Sequence, residues 1–138
     1  MLPLQRFLDA QASTYQTALA EIQNGRKRSH WMWFVFPQLR GLGLSETARF
    51  YGIKDGAEAA AYLAHPVLGP RLVEICEALL TLASFDATRI FGRPDDVKLR
   101  SCLTLFRTVP GASAVFGRVL EQFYGGQPDP QTLALLGG

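Results

Sequence analysis

Apolar residues recur at intervals of three and four along most of this chain, and no segment keeps the alternating pattern of a β-strand. The clearest apolar stripe predicts a central core helix. Its members are Leu68, Leu72, Ile75, Cys76, Leu79 and Leu80. Glycine and proline interrupt the pattern often, so the helices must be short. We therefore expect an all-α, or nearly all-α, single domain over residues 1–138, built as one compact, irregular bundle of about seven short helices.

Capping residues set the expected helix boundaries. The first amphipathic helix should end at Asn24 and Gly25, because glycine commonly closes helices. Small polar or acidic residues precede the later helical segments, as N-caps do. The predicted N-caps are Ser29, Ser45, Asp55, Asp86, Asp95 and Asp129. Residues 30–36 suit either a short helix or a buried strand, and we favour the helix.

Composition excludes several classes of partner. The 14 Lys and Arg residues against 12 Asp and Glu give a formal net charge of +2, which is too small to indicate binding of a long nucleic acid. The apolar runs fall far short of the roughly 20 residues that cross a bilayer, so we expect no membrane partner. Cys76 and Cys102 form no CxxC pair, and the N-terminus lacks a secretory leader pattern. A reduced, cytoplasmic protein is expected.

Residues 25–38, here called the basic-aromatic segment, place three consecutive cations directly before the two tryptophans of the chain. Arginine binds phosphate or carboxylate through paired N–H groups, and indoles stack on rings. We predict that Arg26 and Arg28 bind an anion. We predict that Trp31 and Trp33 stack on the ring of the same ligand.

Two polar residues of the basic-aromatic segment support a binding site. His30 is predicted to transfer protons, and Gln38 to contact the ligand, because a packing segment needs neither. The alternative interpretation is that Trp31, Phe34 and Val35 form one core face and that the cations occupy a solvated turn.

A second candidate segment, residues 94–102, begins a predicted helix with two adjacent carboxylates, which the helix dipole favours. If Asp95 is the N-cap, Asp96 has no capping role. We therefore predict Asp96 as a general acid or base that acts with His30. The ligand-binding residues predicted in this segment are Lys98, Arg100 and Ser101.

Other chemistries find no support. His30, His65, Cys76 and Cys102 lack metal-ligand spacing, so we expect no metal. The chain contains no GxGxxG or GxxxxGK[ST] phosphate loop and no GxSxG nucleophile elbow. No cofactor is expected.

Four long motifs stand out in the sequence: GRKRSHWMWFVFPQLRGLG at residues 25–43, AYLAHPVLGPRL at 61–72, IFGRPDDVKLRSCLTLF at 90–106 and FYGGQPDPQTLALL at 123–136. Together they resemble the bacterial domain-of-unknown-function family eighteen-ten, which sometimes carries the genome label calpastatin. The resemblance implies a small, mostly helical cytoplasmic protein without an established activity. The chain departs from the family pattern at residues 101–103, where it has Ser101, Cys102 and Leu103 instead of the expected serine pair followed by methionine. A calpastatin-like inhibitor would be disordered, which does not suit a chain that is 48% hydrophobic.

The order of the helical segments also resembles, more distantly, small helical proteins that act on ADP-ribose and related N-glycosides. The cations and aromatic residues of the basic-aromatic segment, together with the spare carboxylate of Asp96, predict a site for a nucleotide-like or ADP-ribose-like small molecule, with hydrolysis of an N-glycosidic bond as a candidate activity. The alternative is a non-enzymatic adaptor that docks a protein through an exposed Trp and Arg patch. Binding of single-stranded RNA is a third, weaker hypothesis.

Overall fold

The computed structural model describes residues 3–137, and that part of the chain forms ten α-helices. They are α1 (Gln5–Ala12), α2 (Tyr15–Gln23), α3 (Met32–Val35), α4 (Glu46–Tyr51), α5 (Gly56–Ala64), α6 (Leu68–Leu80), α7 (Ala87–Phe91), α8 (Asp95–Arg107), α9 (Val115–Tyr124) and α10 (Pro130–Leu135). One isolated parallel bridge joins Leu39 and Ile53. The all-α prediction is confirmed, with ten helices rather than about seven.

The N-terminal segment divides into two helices where one was expected. The Thr14 hydroxyl donates to the Ala10 carbonyl at 2.6 Å, and the Thr14 N–H donates to the Gln11 carbonyl. These local bonds satisfy the backbone in a tight turn between α1 and α2. The Thr14 side chain thus competes with the helix for backbone hydrogen bonds, and the spacing of apolar residues does not reveal this.

Four of the predicted N-caps are confirmed. The side chains of Ser45, Asp55, Asp86 and Asp129 each accept a backbone N–H from the first turn of the helix that follows. Two of the predicted caps are wrong. Asp95 is the first residue of α8, whose N-cap is Pro94, and α3 begins after Trp31 rather than after Ser29.

The core lies between α6, α8 and α9. Helix α9 packs against both α6 and α8, and α5 also contacts both of them. The predicted apolar stripe of α6 is buried except for Leu80, which is partly buried. Helix α8 contributes an unbroken buried run over residues 101–106. A fully buried leucine or phenylalanine side chain contributes about 1.5–3 kcal/mol relative to an exposed one. The helix that begins with the twin aspartates is therefore anchored in the core, which fixes the position of its first turn.

The close approach of α5 and α6 depends on a glycine. A Cβ atom at Gly69 would lie 2.1 Å from the carbonyl oxygen of Leu63. No larger residue fits there without moving the backbone. Over residues 3–137, none of the helices combines the length and the apolar character needed to cross a bilayer.

Candidate functional site

A hollow of about 200 Å³ lies where the basic-aromatic segment meets the first turn of α8, and we call it the α3–α8 hollow. The residues that line it are Lys27, His30, Trp31, Met32, Trp33, Phe34, Thr47, Asp95 and Lys98. Both candidate segments thus contribute to one cavity. The basic-aromatic segment reaches it through α3 and the preceding loop, and Thr47 comes from α4.

Two lysines share one carboxylate in this hollow. Nζ of Lys27 lies 2.9 Å from Oδ2 of Asp95, and Nζ of Lys98 lies 3.1 Å from Oδ1. Lys27 also donates to the Ser29 carbonyl at 2.6 Å. The three charged side chains are 9–19% exposed, so solvent screens them only in part. This Lys27/Asp95/Lys98 bridge carries a net charge of +1.

Each lysine of the bridge also lies over an indole ring. Nζ of Lys98 is 4.0 Å from the centre of the Trp33 ring, and Nζ of Lys27 is 5.1 Å from that of Trp31. Both distances suit a cation–π contact. The bridge therefore packs its cations between a carboxylate and two aromatic faces.

The two tryptophans differ in accessibility. Trp31 is 1% exposed and packs against Phe36 and Phe91, so the stacking role predicted for it has no accessible ring face. Trp33 is only partly buried. A Cβ atom at Gly43 would lie 3.0 Å from the Trp33 ring, so the loop before α4 holds this ring in place. Trp33 is the indole available to a ligand.

Glu21 on α2 shapes the loop that leads into the hollow. Its carboxylate accepts hydrogen bonds from the N–H groups of Arg28 and Ser29, the Ser29 hydroxyl and the Trp31 indole, at 2.6–3.0 Å. Burial alone raises the pKa of this carboxyl, but the hydrogen bonds outweigh burial and lower the pKa to about 2. Sequence reasoning missed Glu21, because a glutamate on a helix gives no signal of its tertiary partners.

Asp96 lies outside the wall of the hollow. Its carboxylate accepts from the Thr88 hydroxyl at 2.7 Å and from the Val97 N–H at 2.9 Å. His30 is exposed and lines the hollow. The structure therefore does not bring the predicted pair together at this cavity, and Asp95 is the carboxylate that lines it.

The remaining predicted residues also lie away from the hollow. Arg100 donates to the carbonyls of Gln127 and Pro128 at 2.8 Å, and the Ser101 hydroxyl donates to Asp129 at 3.1 Å. These bonds hold the segment before α10 against α8. Gln38 is buried, and its carbonyl accepts from the Ile53 N–H.

Arg26 and Arg28 are exposed on the loop beside the hollow and do not line it. Within residues 3–137, neither guanidinium has a hydrogen-bond or ion-pair partner. Both remain available to an anion that extends beyond the cavity.

Two larger hollows lie elsewhere on the surface. One, of about 410 Å³, lies between Phe85 and α9 and is lined in part by Arg118 and Glu121. The other, of about 490 Å³, lies between the end of α2 and α7. Volume alone does not mark a site, because specificity comes from convergent polar groups beside apolar surface. Of these three hollows, the α3–α8 hollow is the one that combines two ammonium groups and a carboxylate with an indole.

Comparison with known proteins gives a family and a close structural relative. The family model described as "Protein of unknown function (DUF1810)" matches residues 1–136. The conserved hypothetical protein Rv1873 from Mycobacterium tuberculosis, known from a crystal structure, is 48% identical with a TM-score of 0.96. That match covers 99% of this chain and 98% of the other. No curated protein matches the chain.

Proposed function

The chain belongs to the DUF1810 family of proteins of unknown function, and we propose that its α3–α8 hollow binds a phosphorylated, ring-containing small molecule of nucleotide-like or ADP-ribose-like chemistry. The Lys27/Asp95/Lys98 bridge beside Trp33 is the observation that carries this proposal. It places cations and an accessible indole in one concave site, as a ligand with a phosphate and a ring requires.

Lys98 is the lysine with donors to spare. Lys27 uses its ammonium group on the Ser29 carbonyl, Asp95 and the Trp31 ring. Lys98 has one acceptor, Asp95, and the Trp33 ring, so it can still donate to a ligand oxygen. The exposed His30 and the Thr47 hydroxyl line the same cavity and add further polar contacts.

The volume limits how much of a ligand is enclosed. Drug-sized ligands occupy pockets of about 300–1,000 Å³, whereas this hollow holds about 200 Å³. A phosphate with an adjoining ring fits this volume better than a whole nucleotide does. The rest of the ligand would lie on the surface beside the cavity.

Hydrolysis of an N-glycosidic bond is a separate hypothesis at the same site. It needs a proton-transferring group within hydrogen-bond reach of the bond. Asp95 is paired with two lysines and Asp96 bonds to Thr88, so His30 is the group best placed for that role. Release of free base from nucleosides and nucleotides, measured by chromatography, tests it. Loss of that release in His30→Ala would support it, and no release by the wild type would reject it.

The adaptor hypothesis has one observation in its favour. Leu44 is 79% exposed, directly after the glycine that packs on Trp33. A docking surface would require a broad apolar patch, whereas Trp33 lies in a charged concavity. The geometry therefore favours a small ligand.

A thermal-shift panel of nucleoside mono- and diphosphates and ADP-ribose tests binding. A compound at 100 times its Kd should stabilise the protein by about 2.7 kcal/mol, which raises the Tm by several degrees. Lys98→Met should abolish the shift, and the matched variant Lys54→Met should keep it, because Lys54 is exposed and does not line the hollow. A panel in which no compound raises the Tm would contradict the proposal.

A further inference from the structure

We propose that the ligand of this site is a nucleoside diphosphate sugar whose diphosphate crosses residues 25–27 and whose sugar occupies the neighbouring 490 Å³ hollow. This inference rests on the proposed function and specifies its ligand class. It follows from the position of the second hollow, from the groups that line it and from the unpaired arginines on the loop and in the larger hollow.

Residues 25–27 connect the linings of the two hollows. Gly25 lines the larger hollow and Lys27 lines the α3–α8 hollow. The Lys27 N–H donates to the carbonyl of Ile90, which also lines the larger hollow, at 2.8 Å. Two residues of extended chain span at most about 7 Å. The Cα atoms of Gly25 and Lys27, one on the wall of each hollow, are therefore no further apart than about the length of a diphosphate linker.

The larger hollow has the polar groups that recognise a sugar. Gln23 and Asn24 at the end of α2 supply amides, Ser84 supplies a hydroxyl, and Arg89 supplies a guanidinium. Leu82 and Ile90 add apolar surface. Amides and hydroxyls both donate and accept hydrogen bonds, so they match hydroxyl groups in either role. The cavity volume also lies within the range of ordinary ligand sites.

Unpaired arginines accompany this stretch: Arg26 and Arg28 flank Lys27 on the loop, and Arg89 lines the larger hollow. In the described part of the chain, the guanidinium groups of Arg26, Arg28 and Arg89 make no hydrogen bond or ion pair. The nearby carboxylates are already engaged, because Glu21 bonds to the loop and Asp86 caps α7. Three exposed cations without local acidic partners favour a ligand with more than one phosphate charge.

Calorimetric titration with matched pairs of ligands tests the inference on the full chain. The pairs are AMP with ADP-ribose, UMP with UDP-glucose, and GMP with GDP-mannose. For at least one pair, the diphosphate sugar should bind about tenfold more tightly than the monophosphate. Arg89→Ala and Arg26→Ala should each reduce that ratio severalfold. Arg118→Ala should preserve it, because Arg118 is an exposed arginine that lines a different hollow.

The outcomes separate this inference from the function on which it rests. Equal affinity for both members of every pair would overturn the two-cavity ligand and leave the proposed function standing. A ratio that survives both Arg26→Ala and Arg89→Ala would also overturn it. Absence of binding by all six compounds would overturn both proposals.

Discussion

Nζ of Lys27 lies 2.9 Å from Oδ2 of Asp95, and this ion pair joins the loop after α2 to the first turn of α8. The lysine side chain is 9% exposed and the aspartate side chain 18%. Through this contact two segments that are distant in the sequence form one wall of a cavity. The charge balance of that wall is the property that the first prediction tests.

Asp95→Asn should bind a phosphorylated ligand more tightly than the wild type while folding less stably. The substitution removes the negative charge between Lys27 and Lys98, so both ammonium groups face the ligand uncompensated. Loss of the two ion pairs, of which the one to Lys98 is also a hydrogen bond, should lower the free energy of unfolding by about 1–3 kcal/mol. Titration of both proteins with AMP, together with urea denaturation, measures the two effects. Weaker binding by Asp95→Asn would contradict the charge assignment.

Glu21 should make the stability depend on pH in the acidic range. The pKa of its carboxyl falls from an ordinary value of 4.5 to about 2 in the folded protein. The stabilisation is therefore complete above about pH 4.5 and is lost as the pH falls towards 2. Glu21→Gln should be less stable at neutral pH and should lose less stability between pH 4.5 and 2. Denaturation at several pH values checks this, and parallel pH profiles would count against it.

The sequence predicted those features of the fold that depend on residues close together along the chain. The buried stripe of α6 and the caps at Ser45 and Asp55 are examples, because both follow from residues within one helical turn of each other. The helix break at Thr14 was missed, because a single side-chain bond decides it.

The candidate site was harder to predict, because it depends on tertiary contacts. The Asp95 carboxylate pairs with Lys98 on its own helix and with Lys27, and no local pattern around Asp95 contains Lys27. The same holds for Glu21, whose partners all lie on the loop beyond its own helix. The sequence indicated which segments meet and left open which side chains line the cavity.

Two glycines inside helices should respond oppositely to alanine. Gly69→Ala places a Cβ atom 2.1 Å from the Leu63 carbonyl oxygen, and relieving that clash moves backbone. A loss of about 2–3 kcal/mol is expected, in the range of overpacked cores. Gly117→Ala meets only the Arg107 side chain, at 3.9 Å, and should gain up to about 1 kcal/mol from helix propensity. Equal effects of the two substitutions in thermal unfolding would refute the assigned packing of α5 on α6.

The two cysteines should be unreactive in the folded protein. Cys76 and Cys102 are free and fully buried, and burial raises the pKa of both thiols. Since the thiolate is the reactive form, Ellman's reagent at pH 8 should label neither residue until the protein unfolds. Rapid labelling of the native protein would show that the core between α6 and α8 opens.

The most direct test of the binding site uses the two indole N–H signals in a ¹H–¹⁵N correlation spectrum. Trp31 donates its indole N–H to Glu21 in the core, whereas Trp33 lies in the hollow under Lys98. Titration with the nucleotide that gives the largest thermal shift should move the Trp33 signal in a saturable way and leave the Trp31 signal nearly in place. Saturable binding that leaves the Trp33 signal unchanged would contradict the assignment of the α3–α8 hollow as the ligand site.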